Sequence, residues 1–151
     1  MNGWLPVAAG TGSAMVGGFY LAFSAVVMPA LRRRTAEEAI ATMVAINEKA
    51  VRPPFMILFF GTSAACAAVA VVAALDPQLQ SPLRVAGAVA SLAGWASTMA
   101  INVLLNNRLS AGTNHPERQW LAYERSWTRA NHVRAALSIA GAVGLLIPKT
   151  A

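Results

Sequence analysis

Charge is missing from four long blocks of this chain. Residues 1–31, 53–75, 85–107 and 135–148 contain no Asp, Glu, Lys or Arg. Charged residues make up only 12% of the 151 residues, about half the roughly 25% usual in soluble domains. Confining them to the gaps leaves apolar stretches of membrane-spanning length. A chain this short has room for one domain of four helices, residues 1–151, and none for a large transporter built from internal repeats. The spacing predicts an all-α fold, a bundle of four transmembrane helices over about 5–31, 55–75, 85–105 and 126–147.

The basic residues orient those helices. Arg32, Arg33, Arg34, Lys49 and Arg52 lie between the first and second blocks, and Arg108, Arg118, Arg125, Arg129 and Arg134 between the third and fourth. Only Arg84 and Lys149 lie elsewhere. The positive-inside rule therefore puts the segments 32–52 and 106–125 in the cytoplasm and both termini outside, in an inner membrane of bacterial type. With topology accounting for the net charge of +6, no aromatic-interleaved basic surface remains for nucleic acid. The first block lacks a basic leader and runs straight into Arg32, Arg33 and Arg34, so it reads as a retained span rather than a cleaved signal. The lone Cys66 supports neither a disulfide framework nor a thiolate metal site.

Local signals mark the helix ends. Thr35 with Glu38 forms a capping box that opens an amphipathic cytoplasmic helix over 35–51, with Ile40, Met43, Val44 and Val51 on one face and Asn47 on the same stripe. Pro53 and Pro54 suit the start of the second span, and Ser81 with Pro82 the start of the third. Pro29 predicts a kink or an end near the close of the first span. Ala9, Ser13 and Gly17, with Ala14 and Gly18 beside them, give that span a small face for close packing, within one chain or between copies in a homo-oligomer.

The fourth block is the exception, because 14 residues reach only about 21 Å. To cross, the helix must begin near Ser126, which draws Arg129, Asn131, His132 and Arg134 toward the membrane. Ionisable groups at that depth point to a site. Trp120, Trp127, Asn131 and Arg134 form one helical stripe, with Tyr123 a turn before Trp127, and an interfacial aromatic belt is the other reading of Trp120 and Tyr123. Asn102 and Asn106 share a face one turn apart at the end of the third span. The chain carries no metalloprotease, nucleophile-elbow or phosphate-loop motif. A metal site would have to combine His115 or His132 with Glu117 or Glu124.

Four segments carry a resemblance over nearly the whole chain: Met28-Pro29-Ala30-Leu31, Ala45-Ile46-Asn47, Asn102-Val103-Leu104-Leu105-Asn106-Asn107-Arg108-Leu109 and Trp127-Thr128-Arg129-Ala130-Asn131-His132-Val133-Arg134. Together they resemble the anthrone oxygenase-like family of small four-helix membrane proteins, which commonly has Pro where Leu104 stands. Characterised fungal members of that family oxidise anthrones to anthraquinones. The resemblance implies an oxidoreductase, a monooxygenase using no metal or organic cofactor, acting on a hydrophobic, flat phenolic substrate that reaches it through the lipid bilayer. Such a reaction needs a base, donors for an oxyanion and a dry pocket. On this reading His132 is the base, since an imidazole accepts protons near neutrality. Asn47, Asn102 and Asn106 then donate to the oxyanion, and Arg134 or Arg129 adds charge. Asn47, Trp127, Asn131, Arg129, Asn107 and Arg108 complete the substrate site. The alternative is a non-enzymatic protein that binds a small molecule or serves as an assembly subunit in the membrane.

Overall fold

The computed structural model describes residues 3–78 and 81–148, so Lys149 lies outside the described residues. The described residues form five continuous helices: α1 (Trp4–Leu31), α2 (Ala36–Ala50), α3 (Phe55–Leu75), α4 (Pro82–Ser110) and α5 (Pro116–Leu146). Two are interrupted by a π turn, α1 at Phe23–Val27 and α4 at Thr98–Asn102. Pro29 sits just beyond the first π turn, and α1 ends two residues later.

The capping signals are in place. Thr35 Oγ1 accepts from Glu38 N at 3.3 Å while the Glu38 carboxylate accepts from Thr35 N at 3.2 Å, closing the box that starts α2. Ser81 Oγ accepts from Arg84 N at 3.3 Å ahead of Pro82, so α4 starts at Pro82, three residues before the expected span, and continues past it to Ser110.

Three helices, α1, α3 and α4, are long and apolar enough to cross a membrane. Their apolar side chains face outward: only 17% of the most apolar stretch of α3 is buried inside the protein. Val7, Ile57, Val71, Val89, Ile101 and Leu104 are all more than two-fifths exposed. In water a surface of that kind would aggregate, so these helices suit lipid, and the protein is a membrane protein.

The last helix departs from expectation. It is one unbroken helix from Pro116, and it does not reach the apolarity of the other three. Position explains this: α5 packs along both α1 and α4, while α3 touches the same two helices from elsewhere. The polar residues on its inward face therefore meet protein rather than lipid, with Asn131 fully buried and Arg134 and Ser138 nearly so. Trp120 and Tyr123 are buried too, against α2 and the end of α4, and do not form an interfacial belt. On α2 the residues turned inward are Ala39 and Met43, while Glu37, Glu38, Glu48 and Lys49 are exposed. Arg32, just past α1, pairs with the buried Glu124 of α5, the only ion pair among the described residues.

Candidate functional site

Near the arginine-rich end the helices separate around a cavity of about 270 Å³. α3 packs mainly on the Pro82–Ser97 part of α4 rather than on residues 98–110, and both π turns stand at this level. A π turn adds a residue to one coil of helix and widens it, and such turns gather at functional sites. Here they bring Phe23, Thr98, Met99 and Asn102 to the cavity wall.

The wall is aromatic. All five phenylalanines of the chain line it: Phe19 and Phe23 from α1, and Phe55, Phe59 and Phe60 from α3. Phe19 stacks on Phe55 at 4.3 Å between centroids, and Phe23 lies 5.5 Å from the ring of Trp127. Ile46 and Asn47 of α2 close the end toward the arginines. Val51, Phe60 and Met99 form an apolar rim and are 68%, 49% and 44% exposed, so the cavity opens sideways, on the flank that apolar helices give to lipid.

Inside this apolar space sits one cation. Arg134 is 6% exposed and has no carboxylate partner among the described residues. Its guanidinium carbon lies 4.0 Å over the Tyr20 ring and 5.0 Å from that of Trp127, an arrangement in which ring quadrupoles partly replace lost hydration. Asn131 sets its direction. The Asn131 Nδ2 donates to Tyr20 O and to Ser24 Oγ, both at 2.7 Å, and its Oδ1 accepts from Arg134 Nε at 2.9 Å. Tyr20 is fixed in turn: Thr98 Oγ1 gives its proton to Gly94 O at 3.0 Å, so the 3.3 Å contact between the two hydroxyls has Tyr20 as donor.

Three amides face the same space. Asn106 Oδ1 accepts from Tyr123 Oη at 2.9 Å and from Trp127 Nε1 at 3.0 Å, which leaves its NH2 to offer the cavity. Burial pushes the Tyr123 phenol above its ordinary value of 10.0, against the smaller opposing effects of Asn47 beside it and the charge of Arg134, so it stays a donor to Asn106. Asn102 is 1% exposed, and neither its Nδ2 nor its Oδ1 has a partner among the described residues. Asn47 Nδ2 is also buried and unpartnered there. Unpaired buried amides are rare and costly, and here they line a cavity.

The structure thus brings together Asn47, Asn102, Asn106, Trp127 and Arg134, with Asn131 directly behind. It does not bring in His132, Arg129, Asn107 or Arg108, all of which are exposed and off the cavity. His132 follows Asn131 by one residue, which turns it about 100° around the helix and away from the site. The structure therefore places the imidazole expected to act as base outside the cavity. Reasoning from the sequence missed Tyr20, Thr98 and the phenylalanines. A usable signal was present, because Phe19 and Phe23, like Phe55 and Phe59, stand four apart and so share a helix face.

Fold and site together define an all-helical membrane protein with a side-opening aromatic cavity that encloses a lone arginine among unpaired amides. The family model for anthrone oxygenase matches residues 55–144, more than half of the sequence, and the chain belongs to the anthrone oxygenase family. The match takes in the Asn102 and Trp127 segments, whereas residues 28–31 and 45–47 precede it. No curated protein and no solved structure matches the chain.

Proposed function

We propose that the cavity binds a flat aromatic ketone of the anthrone type as its oxyanion, and that the protein is an oxygenase converting the ring CH2 of that substrate to a carbonyl. The observation that carries this reading is the buried, uncompensated Arg134 facing unpartnered amide groups inside an aromatic cavity. Stranding a guanidinium away from water costs several kcal/mol, and an anionic ligand would offset that cost.

The chemistry rests on what each group can do. Aromatic walls hold the ring system flat, and a volume near the lower edge of small-molecule sites, about 300–1,000 Å³, suits a compact polycycle. Arg134 and the NH2 groups of Asn47, Asn102 and Asn106 favour negative charge on the substrate oxygen, which makes the ring CH2 more acidic. The resulting carbanion is electron-rich and can combine with dioxygen. One oxygen atom becomes the new carbonyl and the other leaves in water with the two hydrogens of the CH2, so the substrate is oxidised and dioxygen reduced. Among the described residues neither an imidazole nor a carboxylate lines the cavity. The site therefore acts on substrate acidity, and the proton departs to water on the Val51 side of the rim, between the charged Lys49 and Arg52 and away from the lipid-facing Phe60 and Met99.

In this reading α5 is the fourth crossing. Its residues 134–146 run beside residues 10–17 of α1 and 87–94 of α4, at the same depth as two spanning helices. The arginine-rich end then faces the cytoplasm. A flat hydrophobic substrate dissolved in the bilayer would reach the rim at Phe60 and Met99 directly.

The test is oxygen uptake by purified protein supplied with anthrone, beside calorimetric titration of the same compound under nitrogen. Wild type is expected to consume oxygen and form anthraquinone, and Arg134→Gln to lose roughly 100- to 1,000-fold in turnover, as when an oxyanion donor is removed. The lack of a base on the cavity wall favours a second reading, a binder without turnover. Binding under nitrogen with no oxygen uptake would establish it.

A further inference from the structure

A second cavity lies outside the aromatic one, between the end of α4 and the start of α5. It is an open groove of about 530 Å³. Its two ends differ in chemistry. At the end remote from the apolar spans stand Arg118, His115 and Thr113, with Arg108 on the α4 side. Toward the spans the lining is Leu105, Ala122 and Ser126. The floor is held in shape by Gln119, whose Nε2 donates to Arg108 O at 3.2 Å and to Leu109 O at 3.1 Å, stitching α5 to the last turn of α4.

Among the described residues neither Arg108 nor Arg118 has an ion-pair partner, and no carboxylate lines the groove. Two acids, Glu37 and Glu117, line an adjoining depression that shares His115 and Arg118 with the groove, and neither is ion-paired with Arg118 among the described residues. Arg108 stands where the third apolar helix runs out, after Leu104 and Leu105. Two exposed guanidinium groups at the water end and aliphatic carbon at the membrane end match one kind of molecule that every membrane supplies, an anionic lipid with its phosphate up and a chain down.

We propose that this groove binds an anionic glycerophospholipid, its phosphate between Arg108 and Arg118 and one acyl chain along Leu105 and Ala122. This site is separate from the aromatic cavity and does not depend on the function proposed for it. Arg108, expected from sequence to touch substrate, holds lipid instead. Gln119, by fixing the end of α4, is a positioning residue for the groove.

The test uses the full chain in nanodiscs of equimolar phosphatidylglycerol and phosphatidylcholine, followed by release into detergent and native mass spectrometry of retained lipid. Wild type should keep phosphatidylglycerol in preference to phosphatidylcholine. Each of Arg108→Gln and Arg118→Gln should lower that preference by roughly fivefold, the effect of one basic residue at an anionic surface. Both side chains are exposed, so folding is not at stake, and helix content by circular dichroism checks it. Arg33→Gln removes an equally exposed charge outside the groove and should change nothing. Equal retention of the two lipids by wild type would overturn the proposal, and so would a loss in Arg33→Gln as large as in the groove variants.

Discussion

The same four long helices pack in two different ways along their length. At one end α1, α4 and α5 meet through small residues. A Cβ placed on Gly87 would stand 2.8 Å from both Gly141 O and Leu145 N, and one on Gly144 would stand 2.9 Å from Leu83 O. Ala9, Cys66, Val69, Ala88 and Leu145 are fully buried there, and the void between Ser13, Cys66 and Ser91 amounts to about 10 Å³. At the other end the same helices stand apart around about 270 Å³, kept open by rings, π turns and the cover of α2. The cavity is therefore not a failure of packing. Small residues let helices approach closely in lipid, where no hydrophobic force presses them together, and that contact holds the assembly while the far end is left free to be shaped around a ligand.

Overpacking separates the two ends most sharply. Gly141→Val sets branched carbon against Gly87 O and the backbone of Ser91, atoms that cannot move without shifting a helix. The expected cost is about 3 kcal/mol, the upper part of the range for added carbon in tight cores. Met99→Phe adds comparable bulk at the cavity rim, which is open to the side, and should cost under about 1 kcal/mol. Unfolding of both variants in one detergent measures the pair. Equal losses would mean that the tight end does not hold the fold.

The unpaired amide gives the next largest effect, with the opposite sign for stability. Asn102 carries two buried polar atoms without partners among the described residues, and such groups cost roughly 1–3 kcal/mol. Asn102→Leu, close in volume, should therefore make the ligand-free protein more stable by about 1 kcal/mol while weakening binding of an anthrone. Denaturant unfolding and calorimetric titration read the two together. A destabilised variant would show that Asn102 is satisfied within the protein and is not held ready for a ligand.

Much of this was legible beforehand, and the reasons for the rest are physical. Blocks free of charge located α1, α3 and α4 because lipid allows nothing else there. Thr35, Glu38, Ser81 and Pro82 located helix starts because unpaired backbone N–H groups need those side chains. Helical phase placed Trp127, Asn131 and Arg134 on one face. The same phase turns His132 about 100° from Asn131 and off the cavity wall. The central position of α5 was hidden, since a helix sheltered by its neighbours need not be apolar. The π turns left no mark in composition: they insert one residue where a cavity is needed, and Phe23–Val27 reads as an ordinary apolar segment. Whether Asn102 had partners depended on tertiary placement alone.

The smallest expected effect concerns how firmly the aromatic end holds its amides. Tyr123 Oη donates to Asn106 Oδ1, and burial raises its pKa above the ordinary 10.0. Below pH 10 the phenol is protonated in folded and unfolded chains alike, so its hydrogen bond contributes in full, about 1 kcal/mol. As pH climbs past 10 the unfolded chain loses this proton while the folded protein keeps it, and stability falls by up to about 1.4 kcal/mol per pH unit until the raised folded value is passed. Tyr123→Phe removes both effects. The variant should be about 1 kcal/mol less stable than wild type at about pH 8, and the gap should narrow and then reverse between about pH 10 and 11, as followed by unfolding in detergent across that range. A gap that stays constant with pH would mean that the phenol ionises as readily folded as unfolded. Asn106 would then be held by Trp127 alone, and the amide row would be a looser device than the packed glycines at the opposite end.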